Sequence, residues 1–266
     1  MSMHWGRVFA LVLRYTYLYR RSVPRLIEMV FWPVMDLLVW GFVTAYLLQL
    51  RPGAPGLVTF LMGAMIFWDI MYRAQQGLSL SFLEDLWSRN ILNLFASPIR
   101  LREFLAATFL VGLFKVLVIG TVLAAMAMGM YHFNLFDVGP ALVPFFINLV
   151  VMGWAVGMVT VAIILRFGIG AEALAWAIPF FLQPLAAVFY PVAVLPGWLQ
   201  PIALSIPATH VFEGMRHVLQ GGDFPTVMLV HASLLNLVYL AGGAAFFVFM
   251  FRSARNRGHL AKLGMQ

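Results

Sequence analysis

The sequence predicts an all-α membrane protein with six transmembrane helices, an amino-terminal interfacial amphipathic helix and a re-entrant helical hairpin between the fifth and sixth spans. Three observations carry this expectation. Of the 266 residues, 63% are hydrophobic and 10% charged, and the mean hydropathy is +0.92, more apolar surface than a water-soluble core absorbs. Uncharged runs of about 20 residues, the length that crosses a hydrocarbon core about 30 Å thick, recur along the whole chain. The cationic residues flank those runs and do not cluster on one folded face.

The amino terminus holds Arg7, Arg14, Arg20, Arg21 and Arg25 ahead of any long apolar run. Trp5, Val8, Phe9, Val12, Tyr15 or Thr16, and Tyr19 recur at helical spacing, while Arg7, Arg14 and Arg21 form another stripe. This predicts a helix lying among the headgroups within residues 1–26. The apolar piece Val8 to Leu13 is too short for the core of a cleavable signal, and arginines follow it in place of small residues.

The first span is expected over Ile27 to Leu50, closed by the turn residues Arg51-Pro52-Gly53-Ala54-Pro55-Gly56. The second is Leu57 to Leu80. A polar stretch follows from Phe82 to Phe104, then a third span from Leu105 to Met130, a loop from His132 to Pro140, and a fourth span from Ala141 to Leu165. Arg166 to Glu172, with Gly168 and Gly170, turns the chain back. No Asp, Glu, Lys or Arg occurs from Ala173 to Phe212, a run too long for one crossing.

Charge parity assigns that run one crossing, not two. The last span, Phe224 to Phe251, is followed by Arg252, Arg255, Arg257 and Lys262, and a seventh crossing would put these opposite the amino-terminal arginines, against the positive-inside bias. Six crossings leave Arg51 and Arg216 outside and both termini in the cytoplasm. The fifth span is then Glu172 to Leu195. Pro196, Pro201 and Pro207 cut the surplus into pieces too short to span, and residues 196–217 are expected to dip into the outer leaflet as two short helices packed on the bundle, where protein covers their backbone; a loop lying flat on the outer surface is the alternative.

Ionisable groups inside lipid need a partner or water. Asp36 in the first span and Lys115 in the third each lie about 16 Å from the cytoplasmic boundary by helical rise and could pair. Asp69 and Arg73, one turn apart in the second span, can pair with each other. The chain has no cysteine, which excludes disulfides and thiolate chemistry. His132, His210, His217 and His231 lack zinc-site spacing, so no metal site is expected, and no GxxxxGK[ST] loop is present to bind ATP. Gly153 and Gly157 are read as close helix contacts.

Three segments together resemble the permease subunit of an ABC-2 type (ATP-binding cassette) bacterial exporter, over nearly the full chain. They are the basic helix Trp5 to Arg21; Glu84-Asp85-Leu86-Trp87-Ser88-Arg89-Asn90 leading to Ser97-Pro98-Ile99-Arg100; and Phe189-Tyr190-Pro191, Leu195-Pro196 and Pro207-Ala208-Thr209-His210 through Glu213-Gly214-Met215-Arg216. The resemblance implies a permease in the bacterial inner membrane, dimeric or paired with a similar permease, with two ABC ATPase subunits that carry ATP and Mg. This chain itself would bind no cofactor and no nucleic acid.

The same resemblance places a coupling helix in residues 82–104, with Glu84, Asp85, Arg89, Asn90, Asn93, Pro98 and Arg100 serving the ATPase. Glu84 and Asp85 would begin that helix, Leu86, Ile91, Leu94 and Phe95 would form its apolar side, and Pro98 would end it. The re-entrant segment would carry Pro191, Pro196, Pro207, His210, Glu213 and Arg216. The expected function is ATP-driven export of an amphipathic, lipid-like or drug-like substrate through an aromatic, uncharged interior. A lipid-linked polysaccharide exporter is the alternative, and a membrane-embedded transferase is a second. The latter would require acids clustered at one membrane face, whereas the acids here are scattered singly.

Overall fold

The computed structural model describes residues 3–50 and 55–256, so the turn residues Arg51 to Ala54 and the tail with Arg257 and Lys262 lie outside the described residues. Ten α-helices follow in order: α1 (Trp5–Arg20), α2 (Val23–Leu50), α3 (Pro55–Trp87), α4 (Ile91–Ala96), α5 (Leu101–Tyr131), α6 (Leu142–Phe167), α7 (Leu174–Leu185), α8 (Gln200–Leu204), α9 (Pro207–Leu219) and α10 (Thr226–Asn256). Short 3-10 turns join several of them, and no strand occurs among the described residues. Among the described residues, four segments are long and apolar enough to cross a membrane: α2, α5, α6 with its flanking 3-10 turns, and α10.

The bundle is organised around α3 and α6. α3 packs on α2, α5 and α6, and α6 in turn packs on α10, α9 and α7. Small residues set these approaches. A β-carbon on Gly153 of α6 would fall 2.5 Å from the Met71 carbonyl oxygen of α3, and one on Gly77 of α3 would fall 2.4 Å from Cα of Gly112 on α5. Only glycine lets these backbones come so close.

The second apolar helix does not stop near Leu80, where the side chains turn polar. α3 runs on to Trp87, because its polar residues are covered by protein instead of lipid. The Gln75 amide donates to Ser79 Oγ (3.0 Å), Thr160 Oγ1 (3.3 Å) and the Ala175 carbonyl (3.2 Å), and Ser81 donates to the Gly77 carbonyl (2.7 Å). Buried polar groups satisfied in this way do not end a helix.

The expected helix start at Glu84 and Asp85 is therefore a helix end. Both acids lie in the last turn of α3 and are buried, Glu84 at 8% exposure and Asp85 at 0%. Arg89 turns the chain in the left-handed region, φ 54°, and the short α4 follows. Leu86, Ile91 and Leu94 face inward while Arg89 and Asn93 face solvent.

The apolar stripe of α1 is divided between protein and the outer surface. Val8, Leu11 and Tyr15 pack inward, whereas Trp5 (65% exposed) and Phe9 (62%) face out, as an amphipathic rod resting in the headgroup region would present them. Its position is fixed by two buried carboxylates. Glu103 accepts the His4 backbone N–H (3.0 Å) and pairs with Arg7 (3.6 Å), and Asp85 accepts the Tyr15 hydroxyl (2.6 Å) and pairs with Arg14. Arg7 also donates to the Pro98 carbonyl (2.6 Å).

α7 is shorter than the span expected from Glu172 to Leu195. It contains Pro179 and Pro184 and ends at Leu185, after about 18 Å by helical rise. The chain then unwinds through Ala186, Ala187 and Val188, all fully buried, with Ala187 at φ 50°. Arg216 of α9 holds this break: its guanidinium donates to the Ala187 carbonyl (2.7 Å), pairs with Glu213 (3.2 Å) and lies 4.6 Å from the Phe60 ring centroid. Glu213 also accepts the Val192 N–H (2.7 Å).

After a 3-10 turn begun by Pro191, two short helices do follow. Pro207 opens α9, and α9 buries Val211, Phe212 and Met215 against α10, α6 and α3. Pro196 accepts the Leu199 N–H (2.8 Å) in the turn before α8, and His210 Nε2 lies 2.9 Å from the Leu204 carbonyl.

Candidate functional site

A cavity of about 680 Å³ opens between α1, α2, α3, α5 and α7. α3 supplies one wall through a single stripe: Arg73, Gln76, Leu80, Glu84 and Trp87 succeed one another at three- or four-residue steps, the period at which helical residues share a face. Asp36 and Trp32 reach in from α2, Lys115 from α5, Tyr19 from α1, and Trp176 and Phe180 from α7.

The cavity collects the charges that interrupt the spans. Arg73 pairs with Asp69 behind it (3.2 Å) and bonds Gln76 Oε1 (3.3 Å). No ion pair joins Asp36 to Lys115 among the described residues. The charge acting on Asp36 is Arg73, and the carboxylate acting on Lys115 is Glu84. The Lys115 ammonium lies 3.7 Å from the Tyr19 ring centroid, a cation–π seat that replaces part of its hydration.

The Glu84 carboxylate lies beside the Tyr19 phenol, and one of its buried oxygens has no hydrogen-bond partner among the described residues. Such an oxygen is poised to accept from a guest. The Tyr19 phenol, outside the spans, is pushed well above its ordinary pKa by burial and then by the neighbouring Glu84 charge, so it stays a neutral donor.

The interior is thus aromatic, as expected, but not uncharged. Tyr72 and Phe180 rings lie 5.6 Å apart, and Trp87 donates to Glu172 (2.7 Å), joining the end of α3 to the turn before α7. Anions and cations are matched: Glu28, Asp36 and Glu84 against Arg25, Arg73 and Lys115. Sequence reasoning placed Asp36, Asp69, Arg73 and Lys115 within the spans but missed Glu84, Gln76, Tyr19 and Glu28 as their neighbours. The signal was the polar stripe along α3, hidden because residues beyond Leu80 were read as a separate loop.

The expected coupling residues divide into two groups. Asp85 points into the protein, and Asn90 follows it there with its amide on Asp85 (3.2 Å). Arg89, Asn93 and Pro98 are exposed, and Arg100 is half-buried where α5 begins. The surface open to another protein is therefore the α3–α4 turn and the outer side of α4. The re-entrant residues Glu213 and Arg216 serve the unwound segment after α7, away from this cavity.

Helices of this length, polar stripes turned inward and a cavity of mixed charge within the bundle define a multi-pass membrane protein with a solute-sized interior. The sequence matches the family described as ABC-2 family transporter protein over residues 43–252. The chain belongs to that family, and is a permease of an ABC transporter: the transmembrane component, which works with an ABC ATPase and is not itself catalytic. No match is found among curated proteins.

Proposed function

We propose that this chain is the permease of an ATP-driven exporter in the bacterial inner membrane, and that the cavity between α1, α2, α3, α5 and α7 admits an amphipathic substrate with a charged head and an apolar body. The observation that carries this is the meeting of Asp36, Arg73, Glu84 and Lys115 with Trp32, Tyr72, Trp176 and Phe180 around one space. Matched charges seat a polar head, and the aromatic wall holds the apolar part.

Topology supports the same reading. Arg100 and Arg102 at the start of α5 and Arg252 and Arg255 at the end of α10 line one groove, so an even number of crossings separates them. With α5, α6 and α10 crossing, a fourth is required, and it falls to α7 continued by the buried, unwound segment after it. Adding α2 and α3 gives six, with both ends cytoplasmic. α8 and α9 are then the outer re-entrant pair, and the exposed Trp198 suits an interfacial anchor.

In this reading two permease copies and two ATPases make the complex. The outward aromatic faces of α2 and α7, with Phe31 and Phe181 exposed, suit a second copy that would complete the path. The ATPase docks on Arg89 and Asn93.

The test is uptake of fluorescent amphipathic cations and zwitterions into inside-out vesicles holding the permease and the ATPase encoded beside it. ATP-dependent uptake is expected, falling at least tenfold in Asp36→Asn and in Lys115→Met. Uptake unchanged in both variants would remove this cavity from the path.

A further inference from the structure

A second cavity, about 740 Å³, lies at the end of the bundle where α5 begins and α10 finishes. Four arginines line it: Arg100 and Arg102 from the start of α5, and Arg252 and Arg255 from the last turns of α10. Its floor is apolar, built on Phe95 of α4, whose ring packs 4.8 Å from that of Phe251. Leu105 and Val248 continue the apolar wall into the two long apolar helices.

Among the described residues no carboxylate lines this cavity. The nearest acid in sequence, Glu103, accepts the backbone N–H groups of Arg100 (2.9 Å) and His4 (3.0 Å) and pairs with Arg7. Arg252, Arg255 and Arg102 are exposed. The site thus combines concentrated positive charge at the mouth with an apolar slot running toward the membrane interior.

We propose that this groove binds an anionic phospholipid from the leaflet at which α5 begins and α10 ends. Its phosphate sits at the exposed Arg252 and Arg255, and one acyl chain lies along Leu105 and Val248. Basic pockets between transmembrane helices at the membrane surface recognise anionic headgroups through charge-assisted, geometry-specific hydrogen bonds, and the guanidinium fork suits a phosphate better than an ammonium does. The inference stands apart from the transport reading, because it requires neither cargo nor a direction.

The experiment is thermal unfolding of the purified full-length permease in mixed micelles. Phosphatidylglycerol is titrated against phosphatidylcholine at constant detergent, with inorganic phosphate as a separate arm. Phosphatidylglycerol is expected to raise Tm saturably and phosphatidylcholine not to. The Arg252→Gln/Arg255→Gln variant should weaken the apparent lipid affinity at least tenfold.

Val248→Trp, which fills the slot and keeps every charge, should weaken it similarly. An unchanged lipid response in both variants overturns the proposal. So does an equal response to inorganic phosphate, which would mark a free-anion site, or loss of the response once the ATPase is bound, which would assign the groove to that subunit.

Discussion

Asp85 and Tyr15 meet at 2.6 Å across 70 residues of sequence, the phenol donating to a carboxylate with no exposure to solvent. Arg14 and Asn90 address the same carboxylate, so the end of α3 is tied at once to α1 and to the start of α4. Removing one partner of a buried charge strands the other, typically at about 3–5 kcal/mol. Asp85→Ala is expected to fall in that range, and Tyr15→Phe near 1–2 kcal/mol, the scale of one hydrogen bond to a charged group. Thermal melts in detergent, with yield of folded protein from membranes, check both.

The same contact sets an alkaline limit. Burial, then the Asp85 charge, raise the Tyr15 pKa well above its ordinary 10.0. A raised phenol contributes stability that is complete below pH 10 and is lost as pH climbs toward the folded-state value. Wild-type protein should therefore lose more stability above pH 10 than Tyr15→Phe does, measured as Tm against pH.

Asp36 and Lys115 share a cavity without pairing. A double-mutant cycle on Asp36→Asn and Lys115→Met should give a coupling below about 0.5 kcal/mol, the scatter expected of independent sites. Asp69→Asn with Arg73→Met should exceed that scatter clearly, since their 3.2 Å pair is almost fully buried. Coupling of the first pair as strong as the second would mean the two charges meet in the working protein.

Gly153 tests the packing of α6 on α3. Its missing β-carbon would overlap Met71 O and sit 2.6 Å from Ala74 Cβ, and overpacking of this kind costs about 1–3 kcal/mol. Gly153→Ala should lower Tm markedly, whereas Gly120→Ala, with nothing within 4 Å, should be neutral or slightly stabilising. Equal effects at the two positions would discount the contact.

Docking of the ATPase is best probed at Arg89 and Asn93. Arg89→Glu/Asn93→Glu should reduce co-purification of the ATPase at least tenfold while the variant still folds and melts cooperatively. Charge reversal at Glu84 or Asp85 is expected to unfold the end of α3 instead, so loss of the partner there would report on folding. Full retention in the Arg89/Asn93 variant would move the docking surface elsewhere.

Much of the helical plan was legible because lipid imposes a simple rule: long apolar runs become long helices, and α5, α6 and α10 fall where those runs lie. The failures share a cause. Glu84, Asp85 and the residues around Gln75 looked too polar for a membrane helix, but each finds a partner on an element distant in sequence, such as Tyr15, Tyr19 or Thr160. Which residues of α1 pack on protein was not legible for a related reason. Trp5 and Phe9 are apolar yet face outward, and a bilayer, unlike water, permits that.

The early end of α7 was partly written in Pro179 and Pro184, but the device that keeps it open was not. Arg216, which the charge tally of six crossings counts on the outer side, is nearly buried and spends its donors on the carbonyls of Ala187 and Val188.

The two anchorages of α1, on Glu103 at one end and Asp85 further along, have a mechanical meaning. A rod bolted at two points to the α3–α5 hairpin cannot swivel independently of it. Any tilt of that hairpin must carry α1 with it, so the amino-terminal helix moves as an outrigger of the hairpin.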